Sequence, residues 1–198
     1  MISTIIFDAS GVLHMNGTLQ REDLKTELGL TEQQLDKFYS HYLPLLGKGE
    51  INEKELWSEL ATDFGIRKVN NEERLLTRAF ENSLTKMPGM YELVDELKLK
   101  DFKVMLLTNV SKNFAEVLER RGHYEPFSLR ILSHEVGSWK PEAKIYKVAL
   151  EKAGISPGEA IFIDDEKRNI DAAEALGIKG VLFISTEQLR TELYDLIN

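Results

Sequence analysis

The sequence predicts an α/β fold, with a three-layer, Rossmann-like parallel sheet and a small all-helical insertion. From residue 90 onward, short apolar runs alternate with amphipathic stretches, as in repeated βαβ units. A separate run, Ser3-Thr4-Ile5-Ile6-Phe7, stands near the start of the chain and ends at Asp8, which is typical of a buried parallel strand. Between these regions, residues 21–84 carry helical periodicity and high charge without a convincing strand.

The length of the chain sets the expected domain organisation. Its 198 residues suffice for one well-buried core and a small inserted module, but not for two equal domains. We expect residues 1–15 and 86–198 to form the α/β core that carries the site. Residues 16–85 are expected to form a helical domain inserted into that core.

Composition narrows the classes of function and partner. A net charge of -8 and a pI near 5.2 argue against a protein that binds nucleic acid by bulk electrostatic attraction. The absence of cysteine excludes disulfides, thiolate metal sites and cysteine nucleophiles. The sequence shows neither a secretory signal pattern nor a membrane-spanning run. We therefore expect a cytoplasmic protein with no nucleic-acid or membrane partner, and the oligomeric state is left open.

Helix-start signals organise the insertion. Thr31 followed by Gln34, and Asn52 followed by Glu55, have the form of capping boxes ahead of apolar residues at three- and four-residue spacing. A third periodic run follows Asn70-Asn71. Three or four helices packed as a bundle are predicted.

The remainder of the chain is predicted to form alternating strands and helices. Glycines placed after the periodic runs mark helix ends, and apolar runs of four or five residues mark strands. The predicted strands are Lys103–Leu107, Leu129–Leu132, Ala160–Ile163 and Gly180–Ile184. The predicted helices are Met90–Leu99, Ser111–Arg121, Pro141–Ala153, Asn169–Leu176 and Thr186–Leu196.

Polar residues follow three of the predicted strands. They are Asp8 with Ser10, Thr108 with Asn109, and Asp164 with Asp165. In a parallel sheet these positions meet at one edge, where ligand sites form. Crowded carboxylates repel unless a cation offsets them, and an all-oxygen site favours a hard ion such as Mg²⁺.

Two further residues complete the predicted site. Lys140, in a turn before a helix, would add a fixed positive charge, and Ser111 would place free backbone N–H groups where a phosphate could bind. Each residue also has a purely structural interpretation. In that interpretation Asp8 only caps a turn, Ser111 caps a helix, and the acids Asp164-Asp165 begin a helix. The joint pattern favours a site.

Four motifs in order resemble those of the haloacid dehalogenase superfamily, whose members are mostly phosphatases with a nucleophilic aspartate. The resemblance covers nearly the whole chain, and it makes the helical insertion similar to the cap that many members insert after the first motif. The motifs are Phe7-Asp8-Ala9-Ser10-Gly11-Val12-Leu13, Leu107-Thr108-Asn109, Lys140-Pro141, and Ile163-Asp164-Asp165 through Asn169.

The resemblance implies a role for each matching residue. Asp8 would attack phosphorus, and Lys140 would neutralise the aspartyl-phosphate. Thr108 would hold the phosphoryl oxygens with backbone help from Asn109. The implied Mg²⁺ ligands are Asp8, the Ser10 carbonyl, Asp165, and Asp164, the last either directly or by orienting the others. A small phosphorylated metabolite is the implied substrate.

Ser10 departs from the pattern of the resembling phosphatases, which usually carry a second aspartate there as general acid and base. Losing such a group typically removes about 10²–10⁴ in rate. We therefore expect slow or selective phosphatase activity, best on acyl or aryl phosphates. Neither His14 nor His41 is expected to replace the missing acid.

Two other functions stay open. A metal-independent 2-haloacid dehalogenase would not need the acid, because halide leaves without a proton, although the paired acids Asp164 and Asp165 argue for a metal. The other is a non-catalytic relative that binds phosphate or a protein partner.

Overall fold

The computed structural model describes residues 1–15, 21–66 and 75–197. Five parallel strands form its main sheet in the order β5-β4-β1-β6-β7, and two further short strands, distant in sequence, form an antiparallel pair. The predicted α/β class is thereby confirmed. The strands are β1 (Thr4–Phe7), β2 (His14–Met15), β3 (Thr85–Lys86), β4 (Lys103–Thr108), β5 (Leu129–Leu132), β6 (Ala160–Asp164) and β7 (Lys179–Leu182).

Helices cover both faces of the main sheet, which gives three layers. Alternate residues of a strand point to opposite faces, and in β1 Ile5 and Phe7 join one apolar cluster while Ile6 joins the other. The helices around the sheet are α6 (Met90–Leu99), α7 (Lys112–Arg120), α8 (Ser133–Val136), α9 (Ala143–Ala153), α10 (Lys167–Glu174) and α11 (Thr186–Ile197).

The first cluster takes Leu93 of α6 and Leu189 of α11, and the second takes Ile145 of α9 and Ile170 of α10. The central strand is therefore buried on both sides.

Residues 21–66 and 75–83 form what we call the helical block. Its helices enclose a third apolar cluster that includes Leu35, Phe38, Leu56, Trp57 and Leu60. The helices are α1 (Arg21–Leu28), α2 (Glu32–Lys37), a π-helix (Phe38–Tyr42), α3 (Leu43–Gly47), α4 (Glu53–Phe64) and α5 (Leu75–Ser83). Asn70-Asn71, the predicted start of the third run, lies outside the described residues, and the division of the chain into two domains stays a prediction.

Both predicted capping boxes are present in the block. The Thr31 hydroxyl accepts from the backbone N–H of Gln34, and the Gln34 side chain accepts from the N–H of Thr31. Asn52 and Glu55 make the same reciprocal pair at the start of α4. These bonds satisfy backbone donors that have no partner within a helix.

A buried carboxylate joins the block to the sheet layer. Glu53 of α4 is 3% exposed and accepts from the N–H of Leu76 at 2.8 Å and the hydroxyl of Thr77 at 2.6 Å, both on α5. It also accepts from Asn113 of α7 at 3.1 Å. Beside it, the rings of Phe80 and Phe114 stack at 4.3 Å. The contacts between α5 and α7 therefore hold the block in place.

Several element boundaries differ from those predicted. Helix α9 begins at Ala143 rather than Pro141, because residues 139–142 form a turn in which the N–H of Glu142 donates to the carbonyl of Trp139. Helix α10 begins two residues early at Lys167, and β7 ends at Leu182. The antiparallel pair of β2 and β3 was not predicted, because strands of two residues show no periodicity in the sequence. Within the described residues, no helix has both the length and the apolar character that crossing a membrane requires.

Candidate active site

The sheet topology brings the predicted site residues to one edge. Strand β1 lies between β4 and β6, with Phe7 level with Leu106 on one side and Ile163 on the other. Asp8 follows β1, and its N–H donates to the Ile163 carbonyl at 2.9 Å. Because neighbouring parallel strands end together, Asn109, Asp164 and Asp165 lie around Asp8.

Lys140 lies between two of the acids. Its ammonium Nζ is 2.8 Å from Oδ1 of Asp8 and 2.7 Å from Oδ2 of Asp164, and the residue is only 1% exposed. Burial alone would lower the pKa of Lys140, but the two carboxylates outweigh it and hold the pKa above its usual value. The amine is therefore a permanent positive charge.

Asn109 fixes the backbone of Lys140. Its Oδ1 accepts from the Lys140 N–H at 2.7 Å, and its Nδ2 donates to the Lys140 carbonyl at 3.0 Å. This pair of bonds ties the loop after β4 to the loop that carries the lysine. Asn109 thus positions Lys140, a contact that sequence spacing did not reveal.

Asp164 is fully buried and held by the protein on both oxygens. Its Oδ1 accepts from the N–H of Glu166 at 2.8 Å and from Nδ2 of Asn169 at 3.0 Å, while Oδ2 faces Lys140. Asn169 also holds the phenol of Tyr146, which donates to its carbonyl at 2.9 Å. These bonds fix the orientation of the carboxylate.

Three carboxylates form a cluster with the donor set of a metal site. One oxygen each from Asp8, Asp164 and Asp165 lies within 4.8 Å of the other two. Against one lysine, three ionised acids leave a net negative charge, and oxygen ligands suit a hard divalent cation. Gly11 makes room for this arrangement, since a Cβ there would lie 2.1 Å from Oδ2 of Asp165.

The crowding raises the pKa values of two acids. Burial, opposed by Lys140 and aided by Asp164, raises the pKa of Asp8 to about 7. Burial and the charge of Asp164 raise the pKa of Asp165 to about 6. A divalent cation bound among these carboxylates would favour their charged forms, so the cluster fits such an ion electrostatically as well as geometrically.

A cavity of about 750 Å³ opens over this edge, between the sheet and the helical block. Asp8, Ser10 and Ser111 line it, whereas Thr108 is 1% exposed and does not. The block contributes polar and apolar lining residues, and Trp139 and Phe114 contribute aromatic ones. The residues from the block are Asp36, Tyr39, Ser40, Leu43, Pro44, Gly47 and Phe80.

The sequence prediction missed several cavity residues. Trp139 directly precedes Lys140 in the sequence, and this adjacency was the one observation from which its place in the cavity could have been predicted. Asp36 and Tyr39 belong to an ordinary amphipathic pattern, in which nothing distinguishes a cavity wall from solvent. His41 does not line the cavity. His14 is 1% exposed and packs against His123 and Phe80.

With the geometry in place, comparison with known proteins assigns the family. Residues 10–183 match the family described as haloacid dehalogenase-like hydrolase. The chain belongs to this family. The match begins at Ser10 and so does not include Asp8.

Curated relatives of this haloacid dehalogenase-like hydrolase comprise enzymes named as phosphatases or nucleotide hydrolases, together with bifunctional epoxide hydrolases and a drimenol cyclase. They include flavin mononucleotide hydrolase 1 of Arabidopsis thaliana, 28% identical over 75% of this chain and 59% of its own length. A phosphorylated carbohydrates phosphatase of Thermotoga maritima is 28% identical over 58% of this chain and 52% of its own. This chain thus spans between half and three-fifths of those two proteins. The pyrimidine 5'-nucleotidase YjjG of Escherichia coli is 34% identical over 76% of this chain and 71% of its own length.

Solved structures share the fold over nearly the full length. A predicted hydrolase of the same family from Porphyromonas gingivalis has a TM-score of 0.80 at 22% identity, covering 100% of this chain and 98% of its own. A family enzyme from Bacteroides thetaiotaomicron has a TM-score of 0.79 at 24% identity, covering 97% and 98%. That enzyme has also been crystallised with magnesium and inorganic phosphate.

Proposed function

We propose that this hydrolase is a Mg²⁺-dependent phosphatase that forms an aspartyl-phosphate at Asp8. The observation that carries the proposal is the buried Lys140 ammonium, 2.8 Å from Asp8, beside a three-carboxylate cluster at the base of a cavity. A nucleophile, a fixed cation and a set of hard-metal ligands are the parts that phosphoryl transfer needs. The phosphatase relatives support the same assignment.

In the proposed first step, an oxygen of Asp8 attacks phosphorus and the substrate's ester oxygen leaves with the bonding electrons. Lys140 neutralises charge on the aspartyl-phosphate, and the backbone of Asn109, which lines the cavity, holds phosphoryl oxygens. Thr108, which does not line the cavity, places Asn109 at the end of β4. Water then attacks phosphorus, and the bond between phosphorus and the Asp8 oxygen breaks with its electrons returning to the carboxylate. The water oxygen leaves in the phosphate, and its proton passes to the phosphate or to solvent.

Mg²⁺, when bound, would withdraw charge from the phosphoryl oxygens. The residues proposed to hold it are Asp8, the Ser10 carbonyl, Asp165 and Asp164. Asp164 has both oxygens engaged by protein donors, which supports an orienting role more than a direct bond.

Ser10 sets the expected selectivity. It lines the cavity beside Asp8, yet a serine hydroxyl is too weak an acid and too weak a base to serve as a general acid or base near neutral pH. Substrates whose leaving oxygen departs without a proton should therefore react best, and these are acyl and aryl phosphates. The aromatic residues Trp139 and Phe114 in the cavity lining support aryl phosphates within this class. A small phosphorylated metabolite remains the proposed substrate.

The experiment is a hydrolysis screen with Mg²⁺ over alkyl, aryl and acyl phosphates, with Asp8→Asn as the blank. We expect turnover of the activated phosphates, none in the blank, and faster alkyl phosphate hydrolysis after Ser10→Asp. An unchanged alkyl rate in Ser10→Asp would refute the account of the missing acid. Activity that survived in Asp8→Asn would remove the proposed nucleophile.

A second candidate is a 2-haloacid dehalogenase, and two observations favour it. Ser10 would not impair halide loss, and the structures that share this fold include an L-2-haloacid dehalogenase from Xanthobacter autotrophicus, with a TM-score of 0.66 at 23% identity. Turnover of a 2-haloacid that resists chelation of metal would select this function. Trapping of beryllium fluoride at Asp8, with no turnover of any substrate, would select a non-catalytic binding protein instead.

A further inference from the structure

Gly47, at the end of α3, is where the helical block approaches the site loops most tightly. A Cβ on Gly47 would lie 1.7 Å from Cζ3 and 2.4 Å from Cε3 of Trp139, so the indole ring rests on the glycine backbone. Ordinary contacts of a Cβ begin near 3.4 Å. No side chain fits here unless the ring or the helix moves by more than an ångström.

A buried hydroxyl makes a second contact at the same point. Ser133 is 0% exposed, and its Oγ donates to the Gly47 carbonyl at 2.5 Å. The same oxygen accepts from the N–H of Val110 at 2.8 Å. Ser133 therefore joins the block to the loop after β4.

Both contacts lead to Lys140 by short routes. Trp139 is its neighbour in the chain. Val110 is the neighbour of Asn109, whose amide makes two bonds to the Lys140 backbone at 2.7 and 3.0 Å. The helical block, the loop after β4 and the loop that carries Trp139 and Lys140 thus form one closed ring of contacts.

We propose that Gly47, through Trp139 and Ser133, sets the position of the Lys140 ammonium according to where the helical block sits. These are positioning residues, because they act on the reaction through Lys140. The packing of the block on the two loops and the placement of the cation beside Asp8 are then coupled. Any kinetic effect rests on the proposed phosphatase function, whereas the placement of Lys140 does not.

The test begins with Gly47→Ala, which inserts the Cβ between α3 and the indole. Gly158→Ala is the matched control, since nothing lies within 4 Å of a Cβ there and its φ is not in the left-handed region. Ser133→Ala is the second variant, because it removes the hydroxyl that joins Gly47 to Val110 and adds no volume. Circular dichroism verifies the fold of each.

The first readout needs no activity. In the parent, Lys140 is 1% exposed and paired with two acids, so acetic anhydride should label it far more slowly than surface lysines, as followed by mass spectrometry. We expect Gly47→Ala and Ser133→Ala to raise labelling of Lys140 at least fivefold and Gly158→Ala to leave it unchanged. Parent-like protection of Lys140 in both folded variants would overturn the proposal.

The second readout is steady-state kinetics on 4-nitrophenyl phosphate with Mg²⁺. A misplacement of about 1 Å in a reacting group can cost about 10²-fold, so Gly47→Ala should lower kcat by that order with a smaller change in KM. Trp139→Leu, which makes room for the Cβ, should cost less in the Gly47→Ala background than alone. Additive costs would refute coupling through the ring. If the parent shows no turnover, the proposed function fails, while the labelling result still decides this inference.

Discussion

Replacing Lys140 by methionine removes the cation that two buried acids share, and a large loss of stability is expected. At 2.8 and 2.7 Å, each pair is worth about 6 kcal/mol of attraction at an effective dielectric constant of 20. Desolvation of the lysine offsets much of this sum. Breaking a buried pair typically costs about 3–5 kcal/mol, because a charge is left buried without a partner. We expect a loss in that range at pH 8.

The loss should also depend on pH. The pKa of Asp8 is already about 7 in the folded protein, above its ordinary value, so the folded chain binds a proton that the unfolded chain releases. Stability therefore falls as pH rises towards that pKa. Without Lys140 the pKa rises further, and the difference between variant and parent should widen above pH 7 by up to about 1.4 kcal/mol per pH unit.

Urea unfolding at pH 6, 8 and 9, with chelator present, measures the effect. Lys144→Met is the control, because Lys144 is exposed on the following helix and should change the free energy of unfolding by less than about 0.5 kcal/mol. Adding Asp8→Asn to Lys140→Met should recover part of the loss. A variant within about 1 kcal/mol of the parent at pH 8, well below the range given for a broken buried pair, would refute the reasoning.

Three other changes test separate features. Gly11→Ala should weaken Mg²⁺ binding at least tenfold by calorimetry, since its Cβ displaces Asp165; Gly29→Ala, with a similar positive φ of 65° but no atom nearby, should not. Between pH 7 and pH 5 the parent should lose about 2 kcal/mol of stability through His14, because the pKa of His14 is 6.5 in the unfolded chain and about 3 in the folded one. His14→Leu should not show this loss in urea unfolding. His41→Leu, at an exposed position, is the control and should keep the loss. Glu53→Gln should cost about 1–3 kcal/mol in thermal unfolding, because its buried partners keep only one acceptor, whereas the exposed Glu59→Gln should not.

The parallel sheet was predictable because burial on both faces leaves a direct mark in the sequence. Strands such as Ala160–Asp164 are continuous apolar runs, and the helices between them have clear start and end residues. The capping boxes at Thr31 and Asn52 were predictable for the same local reason. In a capping box the two residues that make the contacts are only three positions apart, so the pattern is visible in a short stretch of sequence.

What could not be predicted depends on distant segments. The contact of Gly47 with Trp139, and that of Glu53 with Asn113, join parts of the chain that share no pattern. The π-helix at Phe38–Tyr42 adds one residue to a turn, which spacing does not reveal. The order of the strands was not predicted, because the pairing of distant strands leaves no local pattern in the sequence. The meeting of Asp8 with Lys140 was expected only from the family resemblance.

The antiparallel pair of β2 and β3 brings together the two points where the helical block joins the rest of the chain. Met15 and Thr85 are paired across it, so the chain leaves the sheet layer and returns to it at adjacent points, about 5 Å apart in such a pair. A segment with neighbouring ends can be inserted or removed without altering the connections of the surrounding fold. A segment of another length could therefore join the same two points without changing the order of the strands. The loops beside Lys140 would then lose the contacts that Gly47 makes with Trp139 and Ser133.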